Sequence, residues 1–223
     1  MINSHYALQS FKSVQTDYKI DKRNAYYLAG QAAAIYFGNK KKQLPAVFFQ
    51  IFSKSSTSLV DSSGYSSLPV KACNARLIGG RLIQNLTLPY EEATRYFDGN
   101  QREQFLSAFE ADIANLMVGS LAAAKYVFMH YDEKFAANSL HLDTLYLYGD
   151  QPDLDLISEY IECLIPNKTE QEQKLTEIFL TAYRFVNLES NWDAITTLAD
   201  FIDSVSKEVI SCEQIIAVLE SVA

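Results

Sequence analysis

The sequence predicts a mainly α-helical fold of the α+β class with one small β-sheet, on three observations. Apolar residues recur at helical spacing through nearly all of the second half. A strand-like run, Val47-Phe48-Phe49-Gln50-Ile51-Phe52, interrupts the helical pattern early. Beyond Gly79-Gly80 a second strand candidate, Arg81 to Leu88, offers the first a partner. With 48% hydrophobic residues in 223, the chain can bury a sizeable core without disulfides or a structural metal.

The elements follow in order. Asp21 to Phe37 is rich in Ala, Tyr and Ile, lacks proline and runs into Gly38-Asn39, which predicts a helix with an abrupt stop. Gly30 inside it costs about 1 kcal/mol relative to alanine, so a packing reason is expected there. Leu44 to Val70 has strand and Ser-rich loop chemistry. Pro89-Tyr90-Glu91-Glu92 reads as a helix start with early acids, ended by Asp98-Gly99-Asn100. Gln101 to Tyr131 reads as one long helix or two, and Ala122-Ala123-Ala124 permits close approach of a neighbour. Helices are expected over Asp153 to Ile165, Thr169 to Leu188, Trp192 to Ser204 and Ser211 to Leu219, the last opened by Ser211 with Glu213-Gln214. A single domain over residues 1–223 is expected; any boundary between sub-lobes falls in the Gly-, Asp- and Pro-containing loop Tyr148 to Pro152.

Lysine and arginine number 19 against 27 acids, a net charge of −8 that argues against nucleic acid as a partner. Lys40-Lys41-Lys42 is the one tight basic run and reads as a solvated loop. No apolar run approaches the roughly 20 residues of a bilayer span, so no membrane segment is expected. Met1 to Ser13 lacks the apolar stretch and cleavage site of a secretory signal, which points to the cytoplasm. Cys73, Cys163 and Cys212 are odd in number and widely spaced, and read as reduced thiols.

Residues Asn24 to Ala32 read Asn-Ala-Tyr-Tyr-Leu-Ala-Gly-Gln-Ala. Side chains four apart on a helix share a face, so a histidine pair at that spacing grips one zinc ion while a glutamate beside the first activates its water. The stretch resembles the Ala-Tyr-His-Glu-Ala-Gly-His-Ala helix of the FtsH family, the ATP-dependent zinc metalloproteases. Ala25, Tyr26, Ala29, Gly30 and Ala32 match; Tyr27 and Gln31 stand at the two zinc histidines and Leu28 at the catalytic glutamate. Leu116 to Ala124 is similar to the family's Ala-Gly-Arg-Ala-Ala-Glu helix without its arginine and glutamate. Pro152 to Ser158 is similar to the Asn-Asp-Leu-x-x-Ala-Thr segment, with Asp153 at the third zinc ligand. Ala182-Tyr183, Leu198-Ala199 and Val209 to Ile215 follow the family's closing pattern. The resemblance spans Arg23 to Leu219, is weakest from Leu44 to Thr87, and implies an FtsH peptidase-like helical domain with a small sheet. The family's ATPase module has no counterpart in these residues.

The substitutions imply a dismantled site. Tyrosine ionises near ~10, glutamine offers only a neutral amide oxygen, and Asp153 stands alone, so no metal and no cofactor is expected where the active family holds zinc. Leu28 cannot accept a proton from water, and general-base catalysis is commonly worth about 10²- to 10⁴-fold. Hence no catalytic residue is assigned. The implied function is that of a pseudoprotease that binds a protein or peptide in the former substrate groove, or regulates an active ATP-dependent protease; self-association is compatible with the family's hexamers. The alternative is a zinc metalloendopeptidase with non-standard ligands, Asp153 joined by His130 or His141 from His130-Tyr131-Asp132 and His141-Leu142-Asp143; His5 is remote. A third reading is a small-molecule module whose pocket is bordered by Tyr27, Gln31 and Asp153. Plain structural roles also suit these positions: Tyr27, Leu28 and Gln31 as core or groove-lining residues, Asp153 as a helix-start acid, Trp192 as a core anchor. There is no nucleophile-elbow signature, and Gly79-Gly80-Arg81 lacks the ending of a phosphate loop.

Overall fold

Helix α1 (Lys22–Ala33) begins where the Asp21 carboxylate accepts the Asn24 amide. It does not stop at Gly38-Asn39 as expected. A π-helical turn over Ala34–Gly38 leads into a short α2 (Asn39–Lys41), because Gly38 keeps right-handed helical angles. The break falls at Gln43, with φ of +56°. There Leu44 N bonds Asn39 O at 2.9 Å and Gln43 N bonds Lys40 O at 3.2 Å, a Schellman cap built without glycine.

This computed structural model describes residues 20–55, 73–136, 142–205 and 207–222. Met1 to Ser13 with His5, the Ser-rich stretch up to Val70, and His141 lie outside them. The chain is mainly helical with a three-stranded antiparallel sheet. Strand β1 (Phe49–Ser55) pairs with β2 (Cys73–Gly79), Phe49 opposite Gly79, and carries the two-residue β3 (Val209–Ile210) on its other side. The second strand thus precedes Gly79-Gly80, and Arg81 to Leu88 is irregular, a correction with a clear cause. Both glycines take left-handed angles (φ +87° and +81°), and a Cβ on Gly79 would lie 2.4 Å from Phe48 O. The next amides then leave the sheet and bond a side chain of the helix behind it.

Asp98 starts a helix instead of ending one: with Gln101 it forms a reciprocal capping box for α4 (Gly99–His130), after the short α3 (Tyr90–Ala93) that Pro89 opens. Then come α5 (Leu142–Tyr148), absent from the sequence reading, α6 (Gln151–Leu164), α7 (Lys168–Asn187), α8 (Glu189–Ser204) and α9 (Cys212–Glu220), the last boxed by Ser211 and Gln214. One part of the core joins α1, β1, α8 and α9, and another joins α4, α6 and α7; Phe185 and Trp192 pack on both. Helix α4 has an 18-residue window of mean hydropathy 1.2, apolar and long enough by composition to cross a bilayer, which the sequence reading did not foresee. Here 67% of that window is buried inside the fold.

Helix α1 lies against α4 at very close range. A Cβ on Gly30 would sit 2.6 Å from Ala122 Cβ and 2.9 Å from Val118 O; one on Gly119 would sit 2.6 Å from Gln31 Cγ. This is the packing reason expected at Gly30, and it fixes how far the polar face of α1 stands from α4.

Candidate functional site

Tyr27 and Gln31 are one turn apart on α1 and share a face. The element opposite is the start of α6. Gly149 lets the chain turn there: a Cβ would meet Ser120 Oγ of α4 at 2.6 Å and Leu145 O at 2.7 Å. Asp150 is the N-cap, and Asp153 lies in the first turn, where the helix dipole favours a negative charge. Because α4 holds both α1 and the Gly149 turn, Asp153 is carried to Tyr27 and Gln31.

The three side chains meet. Tyr27 Oη donates to Asp153 Oδ2, Gln31 Nε2 donates to the same oxygen at 2.5 Å, and Gln31 Nε2 lies 3.4 Å from Tyr27 Oη. Two neutral donors therefore converge on one carboxylate. Tyr27 and Gln31 are buried, at 7% and 5% exposure. Burial pushes the Asp153 carboxyl above its ordinary value against the opposing pull of the two hydrogen bonds. Burial, followed by the Asp153 charge, holds the Tyr27 phenol far above the usual tyrosine range.

A phenol kept protonated, an amide whose nitrogen faces the carboxylate, and one acid do not make a zinc donor set. These residues do not fit the metal. Leu28 is 1% exposed and packs in the core with α8 and α9. His130 ends α4, its ring stacked on Tyr126 at 6.0 Å, and among the described residues no group of three or more His, Cys, Asp or Glu is placed to hold a metal. Trp192 packs its ring 5.5 Å from that of Tyr26, with Lys125 Nζ 4.2 Å over it.

Two cavities flank the knot. One of about 710 Å³ is bordered by Arg23, Asn24, Tyr27, Ala75, Arg76 and Asp150. The other, about 200 Å³, is bordered by Gln31, Leu77, Gly79, Arg81, Asp112 and Asp153. Strand β2 borders both. Its Gly80 N bonds Phe48 O at 2.9 Å, so by antiparallel alternation Ile78 and Arg76 bond β1 while the backbone groups of Ala75, Leu77 and Gly79 turn outward. That edge has no strand neighbour among the described residues. Asn24 Nδ2 reaches the Ala75 carbonyl at 3.4 Å, in keeping with this direction.

A second buried network was not anticipated. Asp112, 2% exposed on α4, accepts Leu82 N at 2.9 Å and Ile83 N at 2.8 Å and lies 2.8 Å from Tyr160 Oη. Arg81 Nε donates to Tyr160 Oη at 3.0 Å and its Nη2 to Ile83 O at 3.0 Å. Burial, ahead of the opposing hydrogen bonds, raises the Asp112 carboxyl above its ordinary value. The one signal in the sequence is an acid amid apolar neighbours, Phe109, Ala111 and Ile113, where a charge must have fixed partners. Comparison of the chain with protein-family models, with curated proteins and with solved structures finds no match.

Proposed function

We propose that this chain is a pseudoprotease: an FtsH peptidase-like domain that has lost its metal chemistry and binds an extended protein segment along β2, as a cytoplasmic recognition or regulatory module. The observation that carries the reading is the meeting of Tyr27, Gln31 and Asp153. The resemblance aligns these with the three zinc ligands of the family from separate motifs, 122 residues apart between Gln31 and Asp153. A chance likeness of short helices gives no reason for the three to share one point. Further support comes from Gly30 and Gly119, which hold the two small-residue helices of the resemblance together.

The chemistry is a substitution of like role. In an active site three ligands would converge on a cation; here two neutral hydrogen-bond donors satisfy the Asp153 carboxyl group in its buried position. The outward amides and carbonyls of Ala75, Leu77 and Gly79 can pair with an extended chain, and the flanking cavities can take its side chains.

Restoring the ligands tests the reading. The variant Tyr27→His with Gln31→His, joined to the native Asp153, is expected to bind one zinc per chain, and Asp153→Ala in that background to abolish it. The unmodified protein should bind no zinc and cleave no unfolded polypeptide. Failure of the folded double variant to take up zinc, or stoichiometric zinc in the unmodified protein, would overturn the proposal.

A further inference from the structure

An apolar cavity lies away from this site. It is a cleft of about 560 Å³ between the π-helical turn, α4 and α7, walled by Phe37, Ala114, Val118, Ala182 and Phe185 among others. That volume lies within the range of small-ligand clefts, about 300 to 1,000 Å³. Three cations stand at its rim: Lys41 and Lys42 from the end of α2, and Arg184 from α7. None of the three is in an ion pair among the described residues. The nearby acid Glu110 is engaged by Lys174 at 3.2 Å, and Glu177 by the same lysine at 2.9 Å.

In a chain of net charge −8, three unpaired cations around an apolar cleft form a local reversal of sign. The Schellman cap at Gln43 holds the two lysines in place, so the arrangement belongs to the fold and not to a free loop. At the cleft wall Asn115, 7% exposed, donates to Asn39 Oδ1 at 3.4 Å, while Asn39 Nδ2 has no acceptor among the described residues.

From the apolar walls and the cationic rim we infer a binding site for a single-chain amphiphile with an anionic head. The tail lies between Phe37 and Phe185, and the head is held by Lys41, Lys42 and Arg184. This function is separate from strand recognition at β2 and stands without it.

Decanoate, kept below its aggregation concentration, is the probe, titrated into the full chain by calorimetry. Saturable one-to-one binding is expected. Lys41→Glu with Arg184→Glu should weaken it by about tenfold or more, as should filling the cleft with Ala114→Trp. An uncharged decyl glycoside should bind at least about tenfold more weakly than decanoate. Circular dichroism verifies that each variant is folded; if Ala114→Trp is not, Thr181→Trp at the cleft edge replaces it. No saturable binding, equal binding of the neutral amphiphile, or binding unchanged in the folded variants overturns the inference. So does uptake from anionic vesicles alone, or a dimer that the same substitutions dissociate without any decanoate uptake.

Discussion

Gln31 Nε2 lies 2.5 Å from Asp153 Oδ2, joining a residue of the first helix to the first turn of a helix 122 positions later. A buried carboxylate with two neutral donors and no cation is stable only while both donors stay in place. Tyr27→Phe leaves the shape and removes one donor. It should lower stability by about 1 to 3 kcal/mol, read as a fall in the urea midpoint at unchanged slope.

The pH dependence of this knot has a definite sign. Burial raises the Asp153 carboxyl in the folded protein, so its contribution to stability is fully present below the ordinary carboxylate range and is lost as pH rises through the raised value. Asp112 acts in the same direction through its own burial. Asp153→Asn keeps an oxygen to accept from Tyr27 and Gln31 but removes the titration. At neutral pH the variant should match or exceed the unmodified protein in stability, and the advantage should shrink on acidification. An advantage that stays constant with pH would show that the folded carboxyl is not raised.

Close helix approach should be costly to disturb. Gly30→Ala gains helix propensity of about 1 kcal/mol, yet its Cβ would lie 2.6 Å from Ala122 Cβ and 2.9 Å from a backbone oxygen. Overpacking of this kind costs about 1 to 3 kcal/mol, so the net effect is destabilising, with Gly30→Ala melting below the unmodified protein. The pair Gly30→Ala with Ala122→Gly should recover part of the loss, because the nearest clash is then removed.

Asp112 should act as an anchor for the segment after β2. Asp112→Ala removes both acceptor oxygens, so the Leu82 and Ile83 amides lose their partners. A loss of about 2 kcal/mol is expected, together with faster hydrogen exchange at those two amides.

Strand alternation separates two neighbouring substitutions. Ala75→Pro removes an outward amide that β1 does not use, so the fold should persist while binding of a carboxymethylated unfolded polypeptide is lost. Arg76→Pro removes a ladder bond to β1 and should disrupt the sheet itself. Binding unimpaired by a folded Ala75→Pro would sink the proposed use of the β2 edge.

Local chemistry made much of this legible beforehand. The helical pattern after Gln101, the strand at Phe49 and the caps at Pro89 and Ser211 rest on nearest-neighbour periodicity and hydrogen bonding, and these appear where residue order places them. Breaks were harder to place. Gly38-Asn39 looks like a stop, but a glycine ends a helix only when it takes left-handed angles, and packing on α4 keeps it right-handed until Gln43. Gly79-Gly80 does take those angles, so the strand lies before it and the β-like Arg81 to Leu88 is drawn off by Asp112.

By itself, then, the sequence determined the mainly helical class, the small-residue faces at Gly30 and Gly119, and the placing of Tyr27, Leu28 and Gln31 on one helix. Only the tertiary structure decided that Tyr27 and Gln31 turn their donors onto Asp153 and that Leu28 belongs to the core. It alone also carried Lys41, Lys42 and Arg184 to one apolar cleft. The physical reason is that partners for a buried polar group are chosen by the approach of distant helices, and that approach is set by shape and volume across the whole core, which no local pattern encodes.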